Sequence, residues 1–220
     1  AMQKGGTGIT MPVLMENVDT FVFTSRLLSD QVSSELPASK RAVVHNTVDE
    51  DVRCSQDEVR EKINRKANCG VFRILFLSNM APSKGYADVV EAIEQLRDGQ
   101  SQIPLHLDLV GDWPDETRRQ NLEERLVEDD LADHVTVHGR VTDREKVRGF
   151  FLNADTFVLP TYYPNEAQPI SIIEAMNAGT PIIATSHASI PEYVTDDHNG
   201  YLVSKQAPSE IAQAIERLYD

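Results

Sequence analysis

The sequence predicts an α/β domain with a doubly wound parallel sheet of the Rossmann type. Short apolar runs alternate with longer amphipathic stretches through nearly all of the chain after Asp19, which is typical of stacked βαβ units. Several runs, such as 72–78, consist almost entirely of apolar residues, as in strands buried on both faces. Polar and glycine-containing loops follow these runs. Because sheets of this class bind ligands beyond the carboxyl ends of their strands, these loops are the candidate sites.

The first part of the chain predicts a small unit of alternating strand and helix. Residues 20–24 and 41–45 predict strands, and 25–35 predict a helix capped by Thr24 or Ser25. Residues 50–70 are charged and lack a β pattern, which indicates a linker with one short helix at 57–66. We expect the domain boundary in this stretch.

The rest of the chain predicts six strands with interleaved helices. The strands are expected at 72–78, 105–110, 135–138, 156–159, 181–185 and 200–203, and the helices at 84–97, 115–129, 142–153, 169–178 and 208–219. Ser83 is the expected N-cap of the first of these helices, which should turn Val89, Val90, Ile93 and Leu96 inward.

Composition excludes several classes of function. The net charge of −14 argues against nucleic acid and against an anionic membrane surface as direct partners. No apolar run approaches the ~20 residues that a membrane span requires, and no signal peptide is visible. Cys54 and Cys69 lack metal-ligand spacing and predict free thiols in a reducing cytoplasm. The glycines in 3–8 follow no strand, so a flexible end is expected there rather than a phosphate loop.

The segment 166–185 carries the strongest functional signal. Pro169 suits a helix start and Gly179 a helix end, while Glu174 lies in mid-helix among isoleucine, alanine and methionine. A buried carboxylate needs hydrogen-bond donors, and the hydroxyl groups of a ligand would supply them. Glu166 precedes the helix, where free N–H groups favour anions. These residues predict a site for a polyhydroxylated phosphate ester.

The same segment resembles the signature of family 4 glycosyltransferases, which are retaining sugar transferases of the GT-B fold. That signature has two glutamates separated by seven residues, usually as E-G-F-P-x-x-x-x-E-A-M-A-x-G-x-P-V-I-A-T. The glutamates, the proline, the E-A-M triplet, the glycine and the P-I-I-A-T strand all coincide here, while Ala167 and Gln168 replace Gly-Phe. An isolated pair of glutamates would most often be a solvated helix face, and the surrounding match makes the functional interpretation stronger.

Family resemblance assigns roles to both ends of the donor. It implies that Glu174 holds the ribose hydroxyls and that Glu166 contacts the sugar near the reacting carbon. Lys84 matches the lysine that contacts the donor diphosphate, whereas Asn79 stands where the family usually has arginine. This loss of one charge implies weaker diphosphate binding or compensation by another cation.

Three further segments complete the predicted donor site. Gly111 lies in a tight turn after the second strand of the domain, where a structural and a binding role are equally expected. Arg140 and Val141 follow the third strand, in the loop that passes near the nucleobase in relatives. Backbone N–H groups around Gln168, Ile170 and Ser171 are expected to bind phosphate oxygens.

The resemblance therefore implies the C-terminal half of a GT-B fold with a remnant of the N-terminal domain. The expected division is 1–50 for the remnant of the acceptor-side domain, 51–70 for the linker and 71–220 for the donor-binding domain. Residues 43–49 resemble the linker motif V-I-x-N-G-V-D, with Thr47 in place of the glycine. The first residue is Ala1, and the last helix runs to the final residue, so a piece of a longer protein is expected.

The expected function is transfer of a sugar from a UDP- or GDP-linked donor to a glycan, lipid or other acceptor. No cofactor and no metal are expected, which fits the metal-independent mechanism that the resemblance implies. The location is expected to be cytoplasmic, and the alternative of peripheral contact with a membrane through the missing domain stays open. A non-catalytic nucleotide-sugar-binding module or a partner-stabilising degenerate transferase is the main alternative, and a GT-B epimerase or phosphorylase ranks last.

Overall fold

The computed structural model describes residues 11–66, 70–99 and 103–220. The chain divides into two compact units, Ala1–His45 and Asn46–Asp220. The functional division at 1–50, 51–70 and 71–220 stays a prediction. The glycine segment 3–8 and Cys69 lie outside the described residues, whereas Cys54 is buried and free.

The first unit contains a two-stranded parallel sheet. Its elements are α1 (Met11–Asn17), β1 (Phe21–Phe23), α2 (Arg26–Gln31) and β2 (Arg41–Val43). Ser25 caps α2, since its hydroxyl oxygen accepts a hydrogen bond from the Leu28 N–H at 3.1 Å. Helix α2 is shorter than the predicted 25–35, and of the two predicted caps, Thr24 and Ser25, the structure has Ser25.

The second unit is a six-stranded parallel sheet with helices between the strands. Its elements in chain order are α3 (Gln56–Lys66), β3 (Phe72–Leu77), α4 (Tyr86–Asp98), β4 (Leu105–Val110), α5 (Glu116–Glu128), β5 (Val135–Gly139), α6 (Arg144–Asn153), β6 (Thr156–Leu159), α7 (Ile170–Asn177), β7 (Ile182–Thr185), β8 (Gly200–Val203) and α8 (Pro208–Tyr219). The predicted doubly wound sheet is confirmed, and the predicted strands agree with the observed ones to within a residue at each end.

Strand order determines where a ligand can bind. The order is β5-β4-β3-β6-β7-β8, so the chain winds outward from β3 in one direction and from β6 in the other. The crevice outside the carboxyl ends of β3 and β6 is therefore the topological switch point, where open sheets of this kind bind ligands.

The core consists of the apolar strands and the inner faces of the helices. All four residues of β6 and of β7 are buried, as predicted for the interior strand at 181–185, whereas the strand predicted at 72–78 to be buried on both faces is buried only at 74–76. The inward face of α4 is also confirmed, because Val89, Val90 and Ile93 are fully buried and Leu96 nearly so.

Helix α3 is attached to this core by a buried lysine. The Nζ of Lys62 donates to Phe151 O and Ala178 O at 3.0 Å and to Thr180 Oγ1 at 2.5 Å. Phe151 lies in the last turn of α6, and Ala178 is the C-cap of α7. The ammonium group thus satisfies carbonyl groups at the ends of two helices, where a positive charge is favoured.

The predicted N-cap at Ser83 is wrong. A 3₁₀ turn at Pro82–Lys84 precedes α4, and Gly85 is the N-cap residue, with φ of +80°. A Cβ at this glycine would lie 2.6 Å from Pro160 O. The close approach of two loops therefore requires glycine where the sequence suggested a serine cap.

None of the helices in residues 11–66, 70–99 and 103–220 combines the length and the apolar character that crossing a membrane requires.

Candidate functional site

A cavity of about 440 Å³ opens at the switch point of the six-stranded sheet. Its walls come from the ends of β3 and β6, from the loop before α7 and from the starts of α6 and α7. The lining residues are Leu77, Ser78, Lys84, Arg144, Leu159, Glu166, Gln168, Pro169, Ile170, Ser171 and Glu174. Six of the predicted site residues, Lys84, Glu166, Gln168, Ile170, Ser171 and Glu174, therefore meet in one cavity.

An ion pair joins the two predicted catalytic residues. Lys84 Nζ lies 2.6 Å from Glu166 Oε2, and the two side chains are only 12% and 8% exposed. The lysine also lies over the ring of Tyr163, with Nζ 4.9 Å from the ring centroid. The charge of Lys84 is thus compensated within the cavity by Glu166.

The loop after β6 holds Glu166 in place through Thr161. The Thr161 hydroxyl donates to Glu166 Oε2 at 2.9 Å and lies 3.3 Å from Ser83 O. The Tyr162 N–H donates to Ser83 O at 2.8 Å, so this loop is joined to the turn that carries Lys84. Since both loops are fixed to each other, the ion pair has a defined position.

Glu174 is a buried acid whose carboxylate accepts no hydrogen bond from the described residues. Its residue is 6% exposed, and no hydrogen-bond donor reaches its carboxylate among the residues that the structure describes. Burial raises the pKa of Glu174, while the charge of Arg144 opposes this shift and that of Asp49 adds to it. The predicted burial is confirmed. A carboxylate in this state is suited to accept hydrogen bonds from a ligand.

Two residues that follow β2 in the chain contact the cavity lining. Arg144 Nη2 donates to Asp49 Oδ2 at 2.8 Å. The backbone N–H of Asn46 donates to Gln168 Oε1 at 2.7 Å. The side chain of Gln168 is consequently used within the protein, and its backbone is what remains for a ligand.

The start of α7 contributes backbone groups. Pro169 is the N-cap residue of α7. The first N–H groups of a helix lack intrahelical acceptors and attract anions, and Ile170 and Ser171 occupy this first turn beside the cavity.

Four predicted site residues are not part of the cavity lining. Asn79, Gly111, Arg140 and Val141 follow β3, β4 and β5 at the same edge of the sheet but are absent from its walls. Gly111 has a clear structural reason, because a Cβ there would lie 1.6 Å from Ser78 O. The binding roles of these four residues stay predictions.

The cavity can bind a ligand that carries both hydroxyl groups and negative charge. Its donors are the lysine, the arginine and the helix start, and its acceptors are two carboxylates. In residues 11–66, 70–99 and 103–220, no group of three or more His, Cys, Asp or Glu side chains is arranged to hold a metal ion.

Sequence reasoning missed three residues of this site: Arg144, Asp49 and Thr161. Arg144 lies at a charged helix start that resembles a solvated face. Asp49 belongs to the recognised linker motif, which was the one available signal. Thr161 follows a strand at its carboxyl end, as Glu166 does.

Comparison with solved structures identifies the class of fold. HepE from Anabaena, crystallised with UDP, superposes with a TM-score of 0.77 at 19% identity, over 95% of this chain and 56% of that chain. The second unit, with its parallel sheet and flanking helices, is the Rossmann-like fold found in GT-B glycosyltransferases.

Sequence comparison then identifies the family. Residues 71–220 match the family described as Glycosyl transferases group 1, and the chain belongs to it. The D-inositol 3-phosphate glycosyltransferase of Paenarthrobacter aurescens is 32% identical over 68% of this chain and 36% of its own length. The lipopolysaccharide 1,2-N-acetylglucosaminetransferase of Salmonella typhimurium is 27% identical over 90% of this chain and 52% of its own length. The chain thus spans between about a third and a half of these relatives.

Proposed function

We propose that this chain is the donor-binding half of a retaining family 4 glycosyltransferase, which moves a sugar from a nucleoside-diphosphate sugar to a glycan, lipid or other acceptor. The observation that carries the proposal is the buried carboxylate of Glu174, which has no donor of its own in the described residues and faces a cavity lined by cations and a helix start. Membership of the group 1 family supports the same function.

Glu174, Lys84, Glu166 and the start of α7 have separate roles in this proposal. Glu174 accepts hydrogen bonds from the ribose hydroxyls, and this contact compensates for the burial of its charge. Lys84 and the first N–H groups of α7 bind the diphosphate. Glu166 contacts the sugar near the reacting carbon, and Thr161 orients it for this contact.

The catalytic contribution of this half is electrostatic. Negative charge grows on the diphosphate as the bond to the sugar breaks. Donors that are already fixed in position stabilise this charge without reorganising. Lys84 and the helix start supply such donors, and Lys84 is held in position because the contacts of Thr161 join the loop of Glu166 to the turn of Lys84. Retention of configuration follows from the family 4 assignment.

Relatives support the class of donor and acceptor. HepE from Anabaena was crystallised with UDP, which favours a nucleoside diphosphate as the ligand here. The Salmonella typhimurium relative is named as a lipopolysaccharide N-acetylglucosaminetransferase, which favours a glycan acceptor. We propose that acceptor residues lie mainly in the domain of which residues 1–50 are a part.

Calorimetry on two glutamine variants tests the division of roles. Glu174→Gln should weaken binding of UDP or GDP by about 1.5–3 kcal/mol, the range for a hydrogen bond to a charged group. Glu166→Gln should spare the nucleoside diphosphate and weaken the nucleotide sugar. Glu128→Gln is the matched control, because Glu128 is exposed on α5 and away from the cavity.

The two variants must differ for the proposal to stand. Equal losses of nucleoside-diphosphate affinity in Glu166→Gln and Glu174→Gln would contradict the assignment of one residue to the ribose and the other to the sugar. Unchanged affinity in Glu174→Gln would remove the observation on which the function rests.

A further inference from the structure

Arg144 occupies an unexpected position for a cation. It is the first residue of α6, directly after the N-cap Asp143, whose Oδ1 accepts hydrogen bonds from the N–H groups of Glu145 and Lys146 at 3.0 and 3.3 Å. Positive charge at a helix N-terminus opposes the helix dipole. The helix is thus well capped without Arg144, and this side chain brings an electrostatic cost to the position.

The guanidinium group of Arg144 is only partly used within the protein. Its one hydrogen bond among the described residues is from Nη2 to Asp49 Oδ2 at 2.8 Å. Arginine has five N–H donors, so four of them remain for another acceptor. The side chain is 45% exposed and lines the cavity.

Arg144 and Glu174 both line the cavity, and their charges interact. The hydrogen bond with Asp49 is the main cause that raises the pKa of Arg144, and the charge of Glu174 adds to it. Asp49 itself caps a 3₁₀ turn, Glu50–Val52, by accepting from the Asp51 N–H. The counter-ion of Arg144 is therefore fixed in a 3₁₀ turn, and its hydrogen bond orients the guanidinium group.

The balance of charge in the cavity leaves a role for a second cation. Lys84 is neutralised by Glu166 at 2.6 Å, and Glu174 adds a further negative charge. A diphosphate carries negative charge of its own, so binding requires additional positive charge. Arg144 is the other cation of the lining, and its partner Asp49 is 52% exposed and hence screened by solvent.

We propose that Arg144 is a donor-binding residue of this chain, whose guanidinium binds a phosphate group of the nucleoside diphosphate while Asp49 orients it. The inference rests on the proposed function and adds a phosphate-binding residue to it. A planar guanidinium with several free N–H groups matches phosphate oxygens in geometry as well as in charge.

Calorimetry with charged and uncharged ligands tests this role. Arg144→Gln should bind UDP and GDP about tenfold more weakly or worse, as expected for loss of a charged hydrogen bond, and should bind uridine and guanosine as the unchanged chain does. The dependence of UDP affinity on salt concentration should also become weaker, because one cationic contact is lost.

Arg148→Gln provides the matched control. Arg148 lies one turn further along α6 and pairs with Glu58 at 3.1 Å, but it is not part of the cavity lining. This variant removes the same charge from the same helix and should leave the affinities for UDP, GDP, uridine and guanosine unchanged. Melting temperatures of both variants close to that of the unchanged chain would show that the fold is intact.

Three outcomes would overturn the inference. Unchanged UDP and GDP affinity in Arg144→Gln would exclude the contact. Equal losses for uridine and UDP would place Arg144 at the base or ribose instead of the phosphate. An equal loss of UDP and GDP affinity in Arg148→Gln would show that the effect comes from the net charge of the chain and not from a contact of Arg144. Absence of UDP and GDP binding by the unchanged chain is a different result, which would overturn the proposed function itself.

Discussion

Replacing Glu174 with glutamine should make the chain more stable and a poorer binder at the same time. Glutamine has nearly the same shape, so the cavity keeps its walls and loses one buried charge. The residue is 6% exposed, and its carboxylate accepts no hydrogen bond from the described residues. The change therefore removes a buried charge without a hydrogen-bond donor in the free protein and a hydrogen-bond acceptor in the complex.

The expected gain in stability follows from the cost of burying an unpaired polar group. That cost is about 1–3 kcal/mol, and more for a charge. Arg144 offsets part of it through its charge, and the amide of glutamine must itself be buried. We expect a net gain of about 1 kcal/mol in the free energy of unfolding at pH 7, or about 2–4 °C in melting temperature for a chain of this size.

This gain should depend on pH in a defined direction. Because the pKa of Glu174 is raised in the folded chain, its contribution to stability is fully present below the ordinary value of 4.5 and is lost as the pH rises through the folded pKa. The difference between Glu174→Gln and the unchanged chain should consequently be largest at neutral pH and small near pH 4.

Thermal melting at several pH values measures this difference directly. The exposed Glu128 supplies the control, since Glu128→Gln should change stability little at any pH. A lower melting temperature of Glu174→Gln at pH 7 would show that Glu174 stabilises the free chain through a partner. A gain that does not fall towards acid pH would refute the link to burial of the charge.

Three other predictions concern the scaffold and the extent of the site. In denaturant titration, Lys62→Met should lower the free energy of unfolding by about 2–4 kcal/mol, because it removes charged hydrogen bonds and leaves Ala178 O without the donor that reaches it. The control Arg60→Met, on the exposed face of α3, should change the free energy of unfolding little. Gly111→Ala should lower the free energy of unfolding by about 1–3 kcal/mol or more, since its Cβ would overlap Ser78 O. The control Gly149→Ala lies in α6, where the space around a Cβ is open, and should leave the free energy of unfolding unchanged or raise it by up to about 1 kcal/mol. The isolated chain should show little or no sugar transfer in a radiolabelled donor assay, because GT-B chemistry takes place between two domains, and robust transfer would show that the acceptor half is dispensable.

The sheet was predictable because its strands are nearly continuous apolar runs. Residues 105–110, 156–159 and 200–203 were predicted with the same bounds that the structure has. Each of these runs is short, rich in apolar residues and bounded by polar or glycine residues, so the local sequence is sufficient to define the strand.

The cap of α4 was not predictable in the same way. Ser83 fits the local rule for an N-cap, but the observed cap is Gly85 in the left-handed region. The reason lies in Pro160, whose carbonyl oxygen leaves no space for a side chain at Gly85. A residue 75 positions away in the chain decides this helix start, and no local pattern reports it.

The site was predictable residue by residue but not in its contacts. Burial of Glu174 followed from its apolar neighbours in the sequence and is confirmed. The ion pair between Lys84 and Glu166 was missed, because it depends on β3 and β6 being adjacent in the sheet. The pair of Arg144 and Asp49 was also missed, because the two residues are far apart in the chain and share no motif.

The most direct test of the central claim is a comparison of nucleotide ligands by calorimetry on the unchanged chain. We assign the groups of this cavity to one ribose and one diphosphate, so UDP or GDP should bind more tightly than the corresponding monophosphates and more tightly than NAD. The loss of the second phosphate should cost about 1.5–3 kcal/mol, as for other charged hydrogen bonds. A preference for NAD, or no binding of either diphosphate at millimolar concentration, would contradict the assignment of this cavity to a nucleoside-diphosphate sugar.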